Sequence, residues 1–376
     1  MLILPKHEIQ IDWSFSYINP PINSEWATIV SGDRQKVTLV DRNLSPKYEY
    51  QLPDAISCLA ISPKGDLLAA IMANGNHLAI VTAENQIVFE EQLPNPPVKY
   101  SHLHNKNGFQ DCWFDPDGLH FWCMKLIEMK EVEIQIRDTN SWQIQRKLLL
   151  KDPLGAGSSF SFHPHPENQI LALWAACGQN GQQIYWLYDD GTTIHAVEVP
   201  CLYDTAPPEF HPAGSEFVVI NNYDNQISRF SFPECNLMGI CECPCHDADD
   251  WFRSSICYLS DDHVLIDTVE GRMYLIDLNK MEISDELILS GHEPRPSQEL
   301  YPNLNDEEGL CSDLDCFYHF DSDSILSVHS QLPSQKPDSK QKTLVIFGGK
   351  ELFGSLAKVQ ESAPYSQLFI QSLGIS

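Results

Sequence analysis

Asp111-Cys112-Trp113-Phe114-Asp115-Pro116-Asp117-Gly118 is a strand running into a turn, and imperfect copies of it recur along most of the chain. Proline presets the first turn dihedral, and glycine accepts the positive φ that closes the turn. Residues 119–125 then run back as a second apolar strand. The same figure stands at Leu59-Ala60-Ile61-Ser62-Pro63-Lys64-Gly65 and at Glu209-Phe210-His211-Pro212-Ala213-Gly214. Weaker versions occupy residues 160–164, 258–262 and 319–323.

The apolar residue just before each turn is Ile61, Phe114, Phe162, Phe210, Leu259 or Phe320. These anchors recur at intervals of roughly 50 residues, the period of a repeat architecture. One more step back reaches Phe15, inside the alternating strand of residues 9–15. Each unit reads as about four short strands, and a unit of that size cannot bury both faces alone. The expectation is an all-β chain forming one single seven-bladed β-propeller of four-stranded antiparallel blades. Its blades fall near residues 5–52, 53–98, 99–152, 153–200, 201–246, 247–292 and 293–376. Either residues 1–4 or the strand at 365–373 is expected to complete the first or last blade and remove its edges.

Composition fits a folded, turn-rich β chain, with 43% hydrophobic and 20% charged residues and 25 prolines spread between short apolar runs. Charge is the unusual bulk property: 24 basic residues face 52 acidic ones, a net charge of −28. Such a surface repels phosphate backbones and anionic headgroups, so direct binding to nucleic acid or membrane is not expected. It steers basic partners instead. The apolar run at the start, residues 1–4, is too short for a signal peptide core, and no stretch approaches a membrane span. Most of the 12 cysteines, such as Cys58, Cys112, Cys123 and Cys257, sit singly in apolar strands as small buried hydrophobes. Reduced thiols and a cytoplasmic location are the expectation.

Several third strands end in an aspartate: Val40-Asp41, Arg137-Asp138, Tyr188-Asp189 and Ile276-Asp277. Gly291-His292 adds a Gly-His pair, and the turns carry Pro and Gly in fixed order. Together these features resemble the WD40-repeat family in a diverged form, the turns being similar to those of bacterial members. The resemblance spans nearly the whole chain. It implies a WD40-like propeller and a non-catalytic platform for protein partners, an inference by fold analogy.

Residues that could carry chemistry were weighed one by one. Cys241-Glu242-Cys243-Pro244-Cys245-His246 offers thiolates and an imidazole, which are zinc ligands. Alternate residues of an extended strand stand roughly 7 Å apart, too wide for one zinc without a bend. The expectation is therefore no metal and no cofactor. His163 and His165, which flank a turn proline, read as strand-end histidines facing solvent. No hydrolase, phosphate-loop or dinucleotide motif is present. An enzyme built around the channel of the propeller, hydrolase-type and possible with a metal, is the alternative to a scaffold.

Counting back from the anchors places Tyr203, Asp204, Trp251, Phe252, Arg253 and Asp313 at the loops entering first strands. Aromatics and arginine dominate interface energy, so these six are the expected partner-binding residues. Asp247, Asp249, Asp250 and the acidic residues 305–309 are expected to form an anionic rim around them.

Overall fold

The turn at Asp115-Pro116-Asp117-Gly118 closes as its sequence dictates. Asp115 N donates to His120 O at 3.0 Å, Gly118 N donates to Asp115 O at 2.8 Å, and Gly118 adopts φ +70°. Gly65 and Gly214 repeat the closure at φ +72° and +74°, donating to the carbonyls of Ser62 and His211.

The structure is a computed structural model. It describes residues 2–3, 6–11, 18–19, 26–41, 43–93, 108–127, 131–151, 159–167, 169–176, 181–199, 205–221, 224–243, 251–268, 271–293, 295–296, 310–311, 314–321, 324–330 and 342–348. Among these residues the strands form seven sheets containing four antiparallel strands each, taken here in chain order, and one two-stranded ribbon pairing Arg295–Pro296 with Leu310–Cys311. The first holds Ile18–Asn19, Trp26–Val30, Lys36–Asp41 and Pro46–Gln51; the second holds Ile56–Ile61, Leu67–Met72, His77–Thr82 and Ile87–Gln92. Gly108–Phe114, His120–Ile127, Glu131–Asp138 and Ile144–Lys151 make the third. Ser159–Pro164, Ile170–Ala176, Gln182–Asp189 and Ile194–Glu198 make the fourth. In the fifth are Glu209–Phe210, Glu216–Asn221, Gln226–Ser231 and Leu237–Glu242; in the sixth, Phe252–Ser260, His263–Thr268, Met273–Asp277 and Glu282–Leu289. The seventh joins Leu314–Asp321, Ser324–Ser330 and Lys342–Gly348 to His7–Ile11.

That last pairing corrects the reading of the N-terminus. His7–Ile11 does not open the first unit; it runs antiparallel to Lys342–Gly348 as the fourth strand of the seventh sheet. Leu2–Ile3 adds a fifth strand, parallel to Ile288 and Leu289, on the sixth sheet. Alternation identifies a strand, but not its partner, which is chosen by an edge far away in sequence. Residues 12–17, 297–309, 331–341 and 349–376 lie outside the described residues.

Ile61, Phe114, Phe162, Phe210 and Leu259 are all buried, as expected; Phe15 and the Phe320 side chain lie outside the described residues. Register refines one of them. Ile61, Phe114 and Phe210 face Leu68, Phe121 and Phe217, but in the fourth sheet Pro164 takes that place, opposite Leu171. Phe162 stands two residues earlier on the same face.

The chain divides into two compact units, the first four sheets lying in one and the last three in the other. In the four-sheet unit, consecutive sheets share their cores. Leu39, Tyr50, Leu59 and Leu68 pack together, then Ile71, Ile80, Phe109 and Phe121, then Trp122, Ile134, Phe162 and Leu173. In the other unit Val218, Ile220, Phe252, Tyr258 and Val264 do the same for sheets five and six. Among the described residues, sheets one to six thus each cover a neighbour's apolar face, the arrangement a repeat of this size requires.

The aspartates at the ends of third strands cap the next turn. Asp138 Oδ1 accepts from the amides of Asn140 and Ser141 at 3.1 and 2.8 Å, and Asp277 Oδ1 from those of Asn279 and Lys280 at 2.9 and 3.1 Å. In the fourth sheet Asp190 holds the Thr192 and Thr193 amides, both at 2.7 Å, while Asp189 meets Arg146 Nε at 2.7 Å. Short acids here bend the chain by accepting its amides.

Candidate functional site

Of the six residues expected to bind a partner, Tyr203, Asp204 and Asp313 lie outside the described residues, as do Cys245, His246, Asp247, Asp249, Asp250 and 305–309. The other three meet at the start of the sixth sheet's first strand. Trp251 is 47% exposed. Phe252 turns the other way and is only 2% exposed, within the core between sheets five and six. Arg253 is half-buried, with Nη1 at 3.7 Å from Asp267 Oδ2.

The backbone around Arg253 is distorted for a reason visible in the register. Phe252 pairs with Thr268 and Ile256 with Ile266, so Arg253, Ser254 and Ser255 together stand opposite Asp267 alone. Bulges of this kind re-aim side chains and are over-represented next to functional sites. The Asp267 side chain is fully buried, and neither oxygen makes a hydrogen bond of good geometry, although Ser255 stands near enough to pull on it. Burial pushes its carboxyl up to about 7, against the pull of the Arg253 charge and of Ser255. Burial also pushes Glu209, on the first strand of the fifth sheet, up to about 8. Cys257 is held well above the usual thiol range by burial first, with the Glu209 and Asp267 charges adding to it. The Glu209 and Asp267 charges both act on Cys257, so the three groups lie near one another, Asp267 and Cys257 buried and Glu209 partly exposed. Arg253 reaches Asp267 from its partly exposed side.

A second polar group surrounds the turn of the third sheet. Asp115, Asp117 and His120 bring donor atoms within 4.8 Å of one another, a set able to hold a metal ion. Several of these atoms already hold the turn. Asp115 accepts from Trp122 Nε1 at 2.7 Å and pairs with His120 Nδ1 at 3.2 Å; Asp117 Oδ1 accepts the Leu119 amide at 2.8 Å. Burial pushes Asp115 up to about 6, and the Asp115 hydrogen bond raises His120. The arrangement latches the turn. Its sequence signal is the Asp-x-Asp-x-x-His spacing inside the recurring motif.

Cys241 is buried, with its thiol pushed up to about 11, chiefly by burial, and Cys243 packs against the same core. The two histidines read as solvent-facing are not. His165 is 2% exposed, and its Nδ1 accepts the Glu167 amide at 3.0 Å. His163 Nε2 lies 2.7 Å from Ser161 Oγ, and burial lowers the ring to about 4. His292, of the Gly-His pair, packs against His329 with centroids 3.9 Å apart and the rings tilted by 34°.

No family model matches the chain, and no curated protein matches it. Solved structures do. The chain is similar to the β-propeller domain of Cps50 (Swd1) from Myceliophteria thermophila, with a TM-score of 0.56 over 90% of this chain and 98% of that one. The fold is a β-propeller. Sequence identity is 10%, so the likeness concerns the fold alone. Within this propeller the described residues include no helix long and apolar enough to cross a membrane.

Proposed function

We propose that this propeller is a non-catalytic scaffold that binds a protein partner with a basic surface. One observation carries the reading: Trp251 exposes nearly half of its surface beside Arg253, at the bulged entry to a first strand. An exposed indole next to a guanidinium offers large apolar area and forked donors at small entropy cost, the combination that dominates binding hot spots. The net charge of −28 supplies long-range attraction for a basic partner. The proposal includes a single ring of seven blades over residues 1–376, a cytoplasmic setting, and contacts from Tyr203, Asp204 and Asp313. A second reading, a propeller hydrolase, draws on Glu209 and Asp267, whose carboxyls titrate near 8 and 7, the range useful for general acid–base work.

The test is affinity capture with immobilised full-length chain, comparing wild type with a Trp251→Ala, Arg253→Ala double variant across a salt series. Expected is a defined set of basic proteins, lost with rising salt and with the variant while its melting temperature holds. Capture that ignores both salt and the substitutions refutes the scaffold reading.

A further inference from the structure

Edge strands present unpaired backbone groups, and proteins guard them with charge, proline or a covering segment. Pro46–Gln51, the fourth strand of the first sheet, carries Pro46, Lys47 and Glu49. Ile87–Gln92 in the second carries Glu90 and Glu91, and Ile144–Lys151 in the third carries Arg146, Lys147 and Lys151. In the sixth sheet Leu2–Ile3 lies along Ile288 and Leu289 and covers that edge. Leu237–Glu242, the fourth strand of the fifth sheet, differs from these. It holds no charge before its last residue. Leu237, Met238 and Ile240 are 53%, 51% and 42% exposed, and no other described strand exposes three large apolar side chains.

The register shows which backbone groups face outward. Cys243 N donates to Asn225 O at 3.0 Å, so those two residues form a hydrogen-bonded pair. Antiparallel ladders alternate bonded and non-bonded pairs. Cys241 opposite Ile227 and Gly239 opposite Arg229 are therefore bonded pairs, whereas Ile240 opposite Ser228 is not. The Ile240 N–H and C=O point away from the sheet, and among the described residues no strand pairs with them. The Ile240 and Glu242 side chains share one exposed face, while Cys241, on the other face, is buried in the core of sheets five and six.

We propose that Leu237–Glu242 is a docking edge for an extended segment of a protein partner with alternating apolar and basic side chains, added to the fifth sheet as a further strand. Main-chain hydrogen bonds to Ile240 supply affinity, and an apolar side chain beside Ile240 covers it. The basic positions follow from the charges around the strand. Glu242 ends it and Glu234 precedes it, both exposed. Glu282, 60% exposed, follows Met281, whose side chain lies across Gly239. Lys280 is already held by Asp277 at 2.9 Å and Glu282 at 3.7 Å. A second copy of the chain is the poorer occupant, because it would bring another net charge of −28 to the same edge.

This surface uses residues other than Trp251 and Arg253, and it binds through backbone rather than through side-chain hot spots. Gly239 commits the other face of the strand to the core, since a Cβ there would stand 2.3 Å from Met281 Cγ. The edge and the face of Ile240 and Glu242 are what remain for a partner. The chain already uses the same device on the sixth sheet, where Leu2–Ile3 pairs with Ile288 and Leu289.

Fluorescence anisotropy and amide hydrogen exchange are measured on the full-length chain with a labelled peptide of alternating valine and lysine. Expected is saturable binding that slows exchange at Ile240 and weakens with salt, a valine–glutamate peptide being inactive. Ile240→Pro deletes the outward N–H and leaves the ladder bonds of Gly239 and Cys241 intact, so it should weaken binding about tenfold. If that variant melts lower, Ile240→Lys, which keeps the backbone and sets like charge against the peptide, should weaken binding as well. The Trp251→Ala, Arg253→Ala variant should bind the peptide as wild type does, so this edge and the Trp251 surface are tested separately. No binding, binding indifferent to both Ile240 substitutions, or self-association of the chain abolished by Ile240→Lys overturns the proposal.

Discussion

Asp111 and Asp267 are both aspartates buried beside a strand bulge, and they are handled in opposite ways. Asp111 accepts a thiol and two backbone amides; Asp267 has an arginine at 3.7 Å and no hydrogen bond of good geometry, Ser255 pulling on it only weakly. Burial raises both carboxyl groups, but the donors around Asp111 pull back against it, while Asp267 rises to about 7. Amides that must be satisfied anyway solvate a buried charge cheaply, whereas a loose ion pair leaves most of the desolvation cost in place. The first arrangement builds stability, and the second leaves a carboxyl ready to change its protonation.

Breaking the Asp111 side should have the largest effect. Asp111→Ala strips an acceptor from the Cys112 and Phe162 amides and should cost about 2–5 kcal/mol in urea unfolding near pH 7. A loss under about 1 kcal/mol would mean that water replaces the carboxylate, and the contrast between the two sites would collapse.

The Asp267 side should respond with the opposite sign. In the folded chain Asp267 keeps a proton that the unfolded chain releases near its ordinary value of 3.8, since its folded carboxyl titrates at about 7. The folded state therefore binds more protons between those values, and stability falls as pH rises through that window. Glu209 adds to the same slope, from 4.5 up to about 8. His163, lowered to about 4, acts against it, favouring stability as pH rises toward 6.5. Asp267→Asn should raise stability by on the order of 2 kcal/mol near pH 8 and flatten the thermal-melt profile between about pH 4 and 7. An unchanged profile would show that Asp267 is ionised and satisfied in solution.

The smallest effect belongs to Arg253. Its ion pair is too long for a hydrogen bond and its side chain is 28% exposed. Arg253→Ala should cost less than about 1 kcal/mol, and a double-mutant cycle with Asp267→Asn should give a coupling of similar size. A coupling well above that would mean the two groups close into a tight pair in solution.

Particular residues show how far the sequence could be read. The anchors Ile61, Phe114, Phe162, Phe210 and Leu259 were identified as buried from an apolar residue followed by a turn, because that signal is local. Trp251, Phe252 and Arg253 were picked out together by position, but their fates differ: one is exposed, one is core and one pairs with an acid. Separating them requires the bulge opposite Asp267, which depends on the register of two strands. The strand nature of residues 7–11 was legible; their pairing with Lys342–Gly348 was not.

The sequence alone determined the turns, the strand periodicity, the repeat and the surface charge. Each follows from residues close together in the chain: proline and glycine dihedrals, alternate side chains, and a sum of charges. Tertiary structure alone decided which carboxylates lost water, which thiols were buried, and which edge received the N-terminal strand. Those outcomes come from groups distant in sequence, and desolvation and hydrogen bonding depend on what stands within a few ångströms in space.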